Sequence, residues 1–332
     1  MPFAFVFPGQ GSQSVGMLAA LASEPAVRET FASAADALGY DLWKLTQEGP
    51  AEQLNQTEHT QPAMLAAGVA LWRSWQQRGG GAPAAVAGHS LGEFTALVCA
   101  GALELPVALE LVRTRGQLMQ AAVPSGAGAM AAILGLEDEQ VRGACRTAEQ
   151  GQVVEAVNFN APGQVVIAGE RAAVARAIEA ARALGAKRAI ELPLSVPSHN
   201  RLMRSAAERL EEHLTRIELH PPRIPYVSAV DAAVHEDPAD IRALLVRQLW
   251  SPVLWRDTVQ ALVRRGMQML IECGPGKVLT ALNRRIERGP QLQCLAIEDG
   301  ASLDAALAAV GAAGTAKSSS SMPSPGARHA GA

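Results

Sequence analysis

Ala84-Ala85-Val86-Ala87-Gly88-His89-Ser90-Leu91-Gly92 reads as a short apolar strand running into a G-x-S-x-G pentapeptide. The residues after it, with Leu91, Phe94, Leu97 and Val98 on one face and Gly101 as a stop, read as a helix. Strand, serine turn and helix make a nucleophile elbow, in which flanking glycines leave room for a sharp turn and the helix N-terminus faces developing negative charge. Ser90 is therefore the candidate nucleophile. The pentapeptide alone also arises by chance, so the weight lies on its strand and helix context.

Outward from the elbow, Phe3 to Phe7 is a second short apolar run, closed by Pro8-Gly9. Between the two runs, Gln61 to Gln77 carries Met64, Leu65, Val69, Leu71, Trp72 and Trp75 and ends at three glycines, which predicts a helix. Strand, helix, strand implies an α/β sheet. From about Gly128 to Leu192 the pattern changes to strand, helix, strand, strand, helix, strand, the ferredoxin-like order. Its strands are expected at Ala129 to Leu134, Val153 to Asn158, Gln164 to Ala168 and Arg188 to Leu192. A turn at Asn160-Ala161-Pro162-Gly163 joins the middle two. The runs Leu202 to Leu214, Ile241 to Leu249, Gln268 to Glu272 and Val278 to Ile286 return the chain to the larger unit. The expected organisation is a discontinuous α/β domain over residues 1–124 and 200–310 and a ferredoxin-like insert over 125–199. Residues 311–332, small and polar, are expected to form a disordered tail.

Composition narrows the function. With 48% hydrophobic residues and a net charge of −3, the chain can bury a large core and offers no global attraction to nucleic acid or an anionic membrane. Its four cysteines, Cys99, Cys145, Cys273 and Cys294, are too far apart for a zinc or small disulfide pattern, and no metal site is expected. The N-terminal apolar run is too short for a leader or a membrane span. A cytoplasmic protein is expected.

Seven histidines could supply a base. His329 lies in the tail, His213 on a solvated helix face, and His220 and His235 beside proline-containing turns. His89 should point away from its neighbour Ser90. His59 and His199 remain, and His199, just before an apolar-faced helix, should be held neutral by the helix N-terminus. A buried histidine bonded only for structure is the alternative. An α/β-hydrolase orders its triad Ser, acid, His with the histidine late, which fits His199 poorly. Arg115 is the second anomaly, since it falls within the apolar stripe Leu111, Leu118, Ala122 of the helix predicted over Val107 to Ala122. A buried guanidinium needs an anion, either a structural carboxylate or a substrate carboxylate held by its fork.

Two glycine loops mimic phosphate sites. Phe7-Pro8-Gly9-Gln10-Gly11-Ser12-Gln13 has Ser14 where G-x-G-x-x-G needs glycine, and Gly274-Pro275-Gly276-Lys277 lacks the P-loop spacing. The first loop reads better as one that brings a backbone N–H to a substrate carbonyl.

With these residues in view, the chain resembles the malonyl-CoA:acyl carrier protein transacylases of bacterial fatty-acid synthesis, from about Phe3 to Ile297. The resemblance rests on FVFPGQGSQ from Phe5, TQPA from Thr60, AGHSLGE from Ala87 and VRTRGQLMQ from Val112. It continues in VNFNAPGQVVIAG from Val157, VPSHNRLM from Val196, RQLWSPV from Arg247 and ECGPGKVL from Glu272. It implies a hydrolase-like α/β domain with a ferredoxin-like insert. It also implies Ser90 as nucleophile, His199 as base and Arg115 as the malonyl-carboxylate clamp. By the same resemblance the N–H groups of Gln10 and Leu91 form the oxyanion hole, Gln61 lies in the pocket, and the Gln248 carbonyl orients His199. The implied substrate is malonyl-CoA, the implied partner is acyl carrier protein with its phosphopantetheine, and no other cofactor is called for. A monomer is expected. Lys187, Arg188, Arg284, Arg285 and Arg288 are candidates to meet an acidic carrier. A polyketide or malonate-decarboxylase carrier, a carboxylesterase and a non-catalytic binding protein are the rival readings.

Overall fold

The computed structural model describes residues 1–193 and 196–318. Its strands, in chain order, are β1 (Phe3–Phe7), β2 (Ala85–Gly88), β3 (Gly128–Leu134), β4 (Val154–Ala161), β5 (Gln164–Glu170), β6 (Arg188–Glu191), β7 (Tyr226–Val227), β8 (Val234–His235), β9 (Met269–Cys273) and β10 (Gln293–Ile297). β1 is buried at all of its positions, as expected for a strand covered on both sides. Phe3, Phe5 and Phe7 pack with Trp72 and Trp75 of the helix Thr57–Gln77. Ala4 and Val6 face the opposite way, toward Trp255, Val259 and Leu262 of the helix Trp255–Arg264. β1 is thus the spine of a six-stranded sheet ordered β10-β9-β1-β2-β7-β8, parallel except at the β7–β8 edge.

The second sheet, β4-β5-β3-β6, is antiparallel throughout. The helices Asp138–Glu149 and Arg171–Ala183 cover one face of it with Val141, Ala144, Val174 and Ile178. This is the ferredoxin-like arrangement expected from the sequence, and the fold is a hydrolase-like α/β sheet with a ferredoxin-like insert. The two sheets are tied together at several points. Asn158 bridges to Val253, Arg256 pairs with Asp138 at 2.7 Å, and Arg201 pairs with Glu149 and Glu155 at 3.1 and 3.0 Å.

The structure corrects several boundaries. The helix expected from Gln61 begins four residues earlier, at Thr57, and carries Pro62 within it. β4 runs on to Ala161, which tightens the expected four-residue turn to Pro162-Gly163, with Gly163 at φ 66°. β7, β8 and β10 were not anticipated. The expected tail is helical in its first part, since Gly300–Ser318 is one alanine-rich helix and alanine is the best helix former. The rest of that segment, 319–332, lies outside the described residues.

The glycine loops are explained by packing. The N–H groups of Leu279 and Thr280, which open the helix Val278–Ile286, donate to the buried Glu272 carboxylate at 3.0 and 2.6 Å, so this N-terminus already has its anion. At the elbow, a Cβ on Gly88 would lie 1.9 Å from the Gly92 carbonyl carbon, and one on Gly92 would lie 2.0 Å from the Phe7 oxygen. Gly92→Ala is therefore expected to cost about 3 kcal/mol or more in urea unfolding, as overpacking against backbone does. Gly143→Ala, on a helix with only Arg146 near at 3.7 Å, is expected to be neutral or to stabilise by about 1 kcal/mol.

Candidate active site

β2 delivers Ser90 into the turn before the helix Gly92–Cys99, with its backbone at φ 53°, a left-handed conformation uncommon outside glycine. His199 also sits left-handed, at φ 66°. It leaves the second sheet and precedes Asn200, whose side chain caps the turn Arg201–Met203 by accepting from the Leu202 N–H at 2.9 Å. The two side chains meet, with Ser90 Oγ 2.8 Å from His199 Nε2. His199 Nδ1 is 2.8 Å from the Gln248 carbonyl, and its backbone N–H donates to the Leu249 carbonyl at 2.9 Å. A carbonyl only accepts, so Nδ1 carries the proton and Nε2 presents its lone pair to the serine hydroxyl. The group on the other side of the imidazole is thus a main-chain oxygen, that of Gln248, which spacing alone did not reveal and the resemblance named.

The imidazole is buried, and burial together with the Arg115 guanidinium pushes its pKa down to about 3. The expected cause was a helix N-terminus. Desolvation and the neighbouring cation are the larger effects.

Arg115 is 1% exposed on the helix Leu105–Ala121. It donates to Gln61 Oε1 at 2.8 Å, to Gln248 Oε1 at 2.9 Å and to Ser90 Oγ at 3.2 Å, and lies over the Phe94 ring. Its Nε has no partner, and among the described residues no carboxylate forms an ion pair with it. Burial lowers its pKa to about 10, which leaves it cationic at neutral pH. The structural-carboxylate alternative for Arg115 is therefore not met by direct contact.

Ser90, His199 and Arg115 open on a pocket that Gln10, Leu91, Met119 and Met130 also line. Among the described residues, neither the Gln10 nor the Leu91 N–H has a hydrogen-bond acceptor. Gln10, His89, Met130 and Asn158 also line an adjoining groove that runs past Asn160 to Leu279 and Leu282. His89 turns away from Ser90, as expected, with Nε2 2.9 Å from Asn160 Oδ1. His59 is not brought to the site and pairs with the Tyr40 hydroxyl at 3.2 Å. Among the described residues no cluster of three or more His, Cys, Asp or Glu could hold a metal ion.

A family model described as an acyl transferase domain matches residues 4–297. The malonyl CoA-acyl carrier protein transacylase of Salmonella typhimurium is 56% identical over 306 residues, 92% of this chain and 98% of that protein. The chain belongs to the malonyl-CoA:acyl carrier protein transacylase family. An acyl carrier protein S-malonyltransferase from Vibrio cholerae superposes at TM-score 0.89 with 56% identity, covering 92% of this chain and all of that one (100%). A malonyl-transacylase solved with a type II PKS acyl-carrier protein superposes at TM-score 0.91 with 54% identity, covering 93% and 100%.

Sequence reasoning missed part of this family member's site. Glu93 is buried in the first turn of the helix after Ser90 and accepts from Tyr226, Ser228 and the Gln248 side chain. A carboxylate on the apolar face that carries Leu97 was the available signal. Met119, whose sulfur accepts from Gln61 Nε2 at 3.6 Å, and Met130 also line the pocket, and nothing in the sequence marks either apart from a core methionine.

The depressed His199 pKa keeps the base deprotonated as pH falls, so activity should persist there. For free enzyme, kcat/KM for acyl loading is expected to be flat from about pH 5 to 8, without an acid limb near the usual imidazole value of about 6.5. A profile that bends near that value would contradict the assignment of cause.

Proposed function

We propose that this chain transfers the malonyl group from malonyl-CoA to the pantetheine thiol of acyl carrier protein through a malonyl-Ser90 ester. The observation that carries the reading is Arg115 Nη2 at 3.2 Å from Ser90 Oγ, a buried cation beside the nucleophile with no carboxylate paired to it among the described residues. A malonyl carboxylate supplies the missing anion, and a bidentate fork favours it over an acyl group that ends in methyl.

In the first half-reaction Ser90 Oγ attacks the thioester carbon and its proton passes to His199 Nε2. The N–H groups of Gln10 and Leu91 receive the oxyanion. The C–S bond then breaks, and the CoA sulfur leaves with the proton from His199. In the second half the carrier thiol gives its proton to His199 and attacks the ester carbon, and Ser90 Oγ leaves and regains a proton. Each half returns His199 to neutrality. No step calls for a metal or a further cofactor.

The groove past Asn160 suits a pantetheine arm, and the walls of a separate basic groove touch it at one point. Lys187, Arg188, Arg285 and Arg288 line this second groove with one carboxylate, Glu137. Arg285 reaches Gln164, which lines the first groove. Arg284 is turned aside, donating to the Cys294 carbonyl at 2.9 Å. An acidic carrier protein fits this face. We further propose a cytoplasmic monomer divided at 124/125 and 199/200. Among the described residues no helix is long and apolar enough to cross a membrane.

Intact-mass measurement after incubation with malonyl-CoA tests the central reading. A malonyl adduct is expected on the wild type, absent in Ser90→Ala and discharged by holo carrier protein. Rapid hydrolysis without a thiol acceptor would instead indicate an esterase. Arg115→Ala is expected to slow malonyl loading by about 100-fold or more while acetyl loading is kept or improved. Equal loss of both would refute the clamp.

The docking reading is tested separately. Arg188→Glu with Arg288→Glu is expected to raise KM for carrier protein about tenfold at low salt, with the difference shrinking as salt rises. Loading from malonyl-CoA should be unaltered, and an unchanged carrier KM would remove this groove from the proposal.

A further inference from the structure

One buried ionisable group stands beside the site without taking part in the steps above. Glu93 lies in the first turn of the helix that follows Ser90 and is 1% exposed. Its Oε2 accepts from the Tyr226 hydroxyl and from Ser228 Oγ at 2.9 Å, and its Oε1 accepts from Gln248 Nε2 at 2.8 Å. Burial pushes its carboxyl pKa up, and the donors around it oppose that shift.

The other end of this chain of contacts is the Gln248 amide. Nε2 donates to Glu93 Oε1 and to the Ser90 carbonyl at 2.9 Å, which leaves Oε1 to accept from Arg115 at 2.9 Å. The reverse orientation would set the amide NH₂ against a guanidinium and the amide oxygen against a carbonyl and a carboxylate. Buried polar groups do not tolerate such pairings, so the amide has one workable orientation. Gln248 also holds His199 through its main-chain carbonyl at 2.8 Å. One residue therefore joins the nucleophile's backbone, the base and the cation, and Glu93 is the acceptor that fixes its side chain.

We propose that Glu93 is a positioning residue for acyl selection. Through Gln248 it holds the Arg115 fork where a substrate carboxylate can be read beside Ser90. It touches neither substrate nor reacting atoms, and its effect should fall on the malonyl preference more than on acyl transfer in general. The inference rests on the malonyl reading above.

Reach and charge are separated by two conservative variants. Glu93→Gln keeps an oxygen at the reach of Gln248 and loses the charge, whereas Glu93→Asp keeps the charge and loses the reach. Loading of Ser90 from malonyl-CoA and from acetyl-CoA is followed by quenched intact mass, with thermal unfolding measured alongside. Glu93→Asp is expected to lower the malonyl-to-acetyl loading ratio about tenfold, and Glu93→Gln to stay within about threefold of wild type.

The opposite order would assign the role to charge and overturn the proposal. So would unchanged ratios in both variants, or losses that leave the ratio intact and merely follow a lowered Tm. If Glu93→Asp does not fold, Gln248→Met, which removes the amide and keeps the main-chain carbonyl, must show the fall in ratio. An unchanged ratio there overturns the proposal equally. A wild type that forms no malonyl adduct would sink the malonyl reading itself, a separate and recognisable result.

Discussion

The guanidinium of Arg115 is a full charge removed from water and, among the described residues, held by neutral groups. Two amide oxygens, a serine hydroxyl and an aromatic face surround it, and its Nε is left unpaired. Neutral dipoles soften the cost of burying a cation, but they do not cancel its charge. Glu93, the nearest compensating anion, acts across the Gln248 amide and does not touch the fork. The cation consequently stays available, and it dictates much around it. It depresses the base, and it draws Gln61 and Gln248 into fixed orientations beside the nucleophile.

Holding the nucleophile and base near that cation strains the backbone. Ser90 and His199 both adopt left-handed conformations that non-glycine residues resist, and such strain persists only where packing over-determines it. At Ser90 the packing is glycine against backbone, where Gly88 and Gly92 permit contacts that no Cβ could survive. At His199 two hydrogen bonds donated to consecutive carbonyls, Gln248 and Leu249, fix ring and backbone together. The pair is also split between supports, because Ser90 follows β2 of the first sheet while His199 leaves the second. Their 2.8 Å separation depends on the ion pairs and the Asn158 bridge that lock one sheet to the other.

These dependencies explain what the sequence disclosed. The elbow was legible because strand, glycines and helix are contiguous, and the insert because its six elements follow one another. Arg115 was legible as a charge that violated its own helix's stripe. His199 emerged by elimination, but the reason for its low pKa did not, since that reason is burial first and then a guanidinium, both of which arise only on folding. The Glu93 to Gln248 link joins distant parts of the chain and leaves no periodic trace. β7 and β8, at two residues each, are too short to show alternation. The end of the helix Gly300–Ser318, from Gly311 on, reads as tail because alanine and glycine resemble low complexity, although alanine favours helix.

The same electrostatics link selection to chemistry. His199 is a weak base, held down first by burial and then by the Arg115 charge. On the proposed reading, a malonyl carboxylate seated on the fork offsets the second of these causes. The imidazolium formed when Ser90 gives up its proton then faces a neutralised neighbour, and the base strengthens as the acyl group arrives. An acyl group without a carboxylate leaves the cation uncompensated and the base depressed. Discrimination at this site therefore acts on the proton transfer as well as on binding, so it persists at saturating substrate, where binding preference alone would no longer separate the rates.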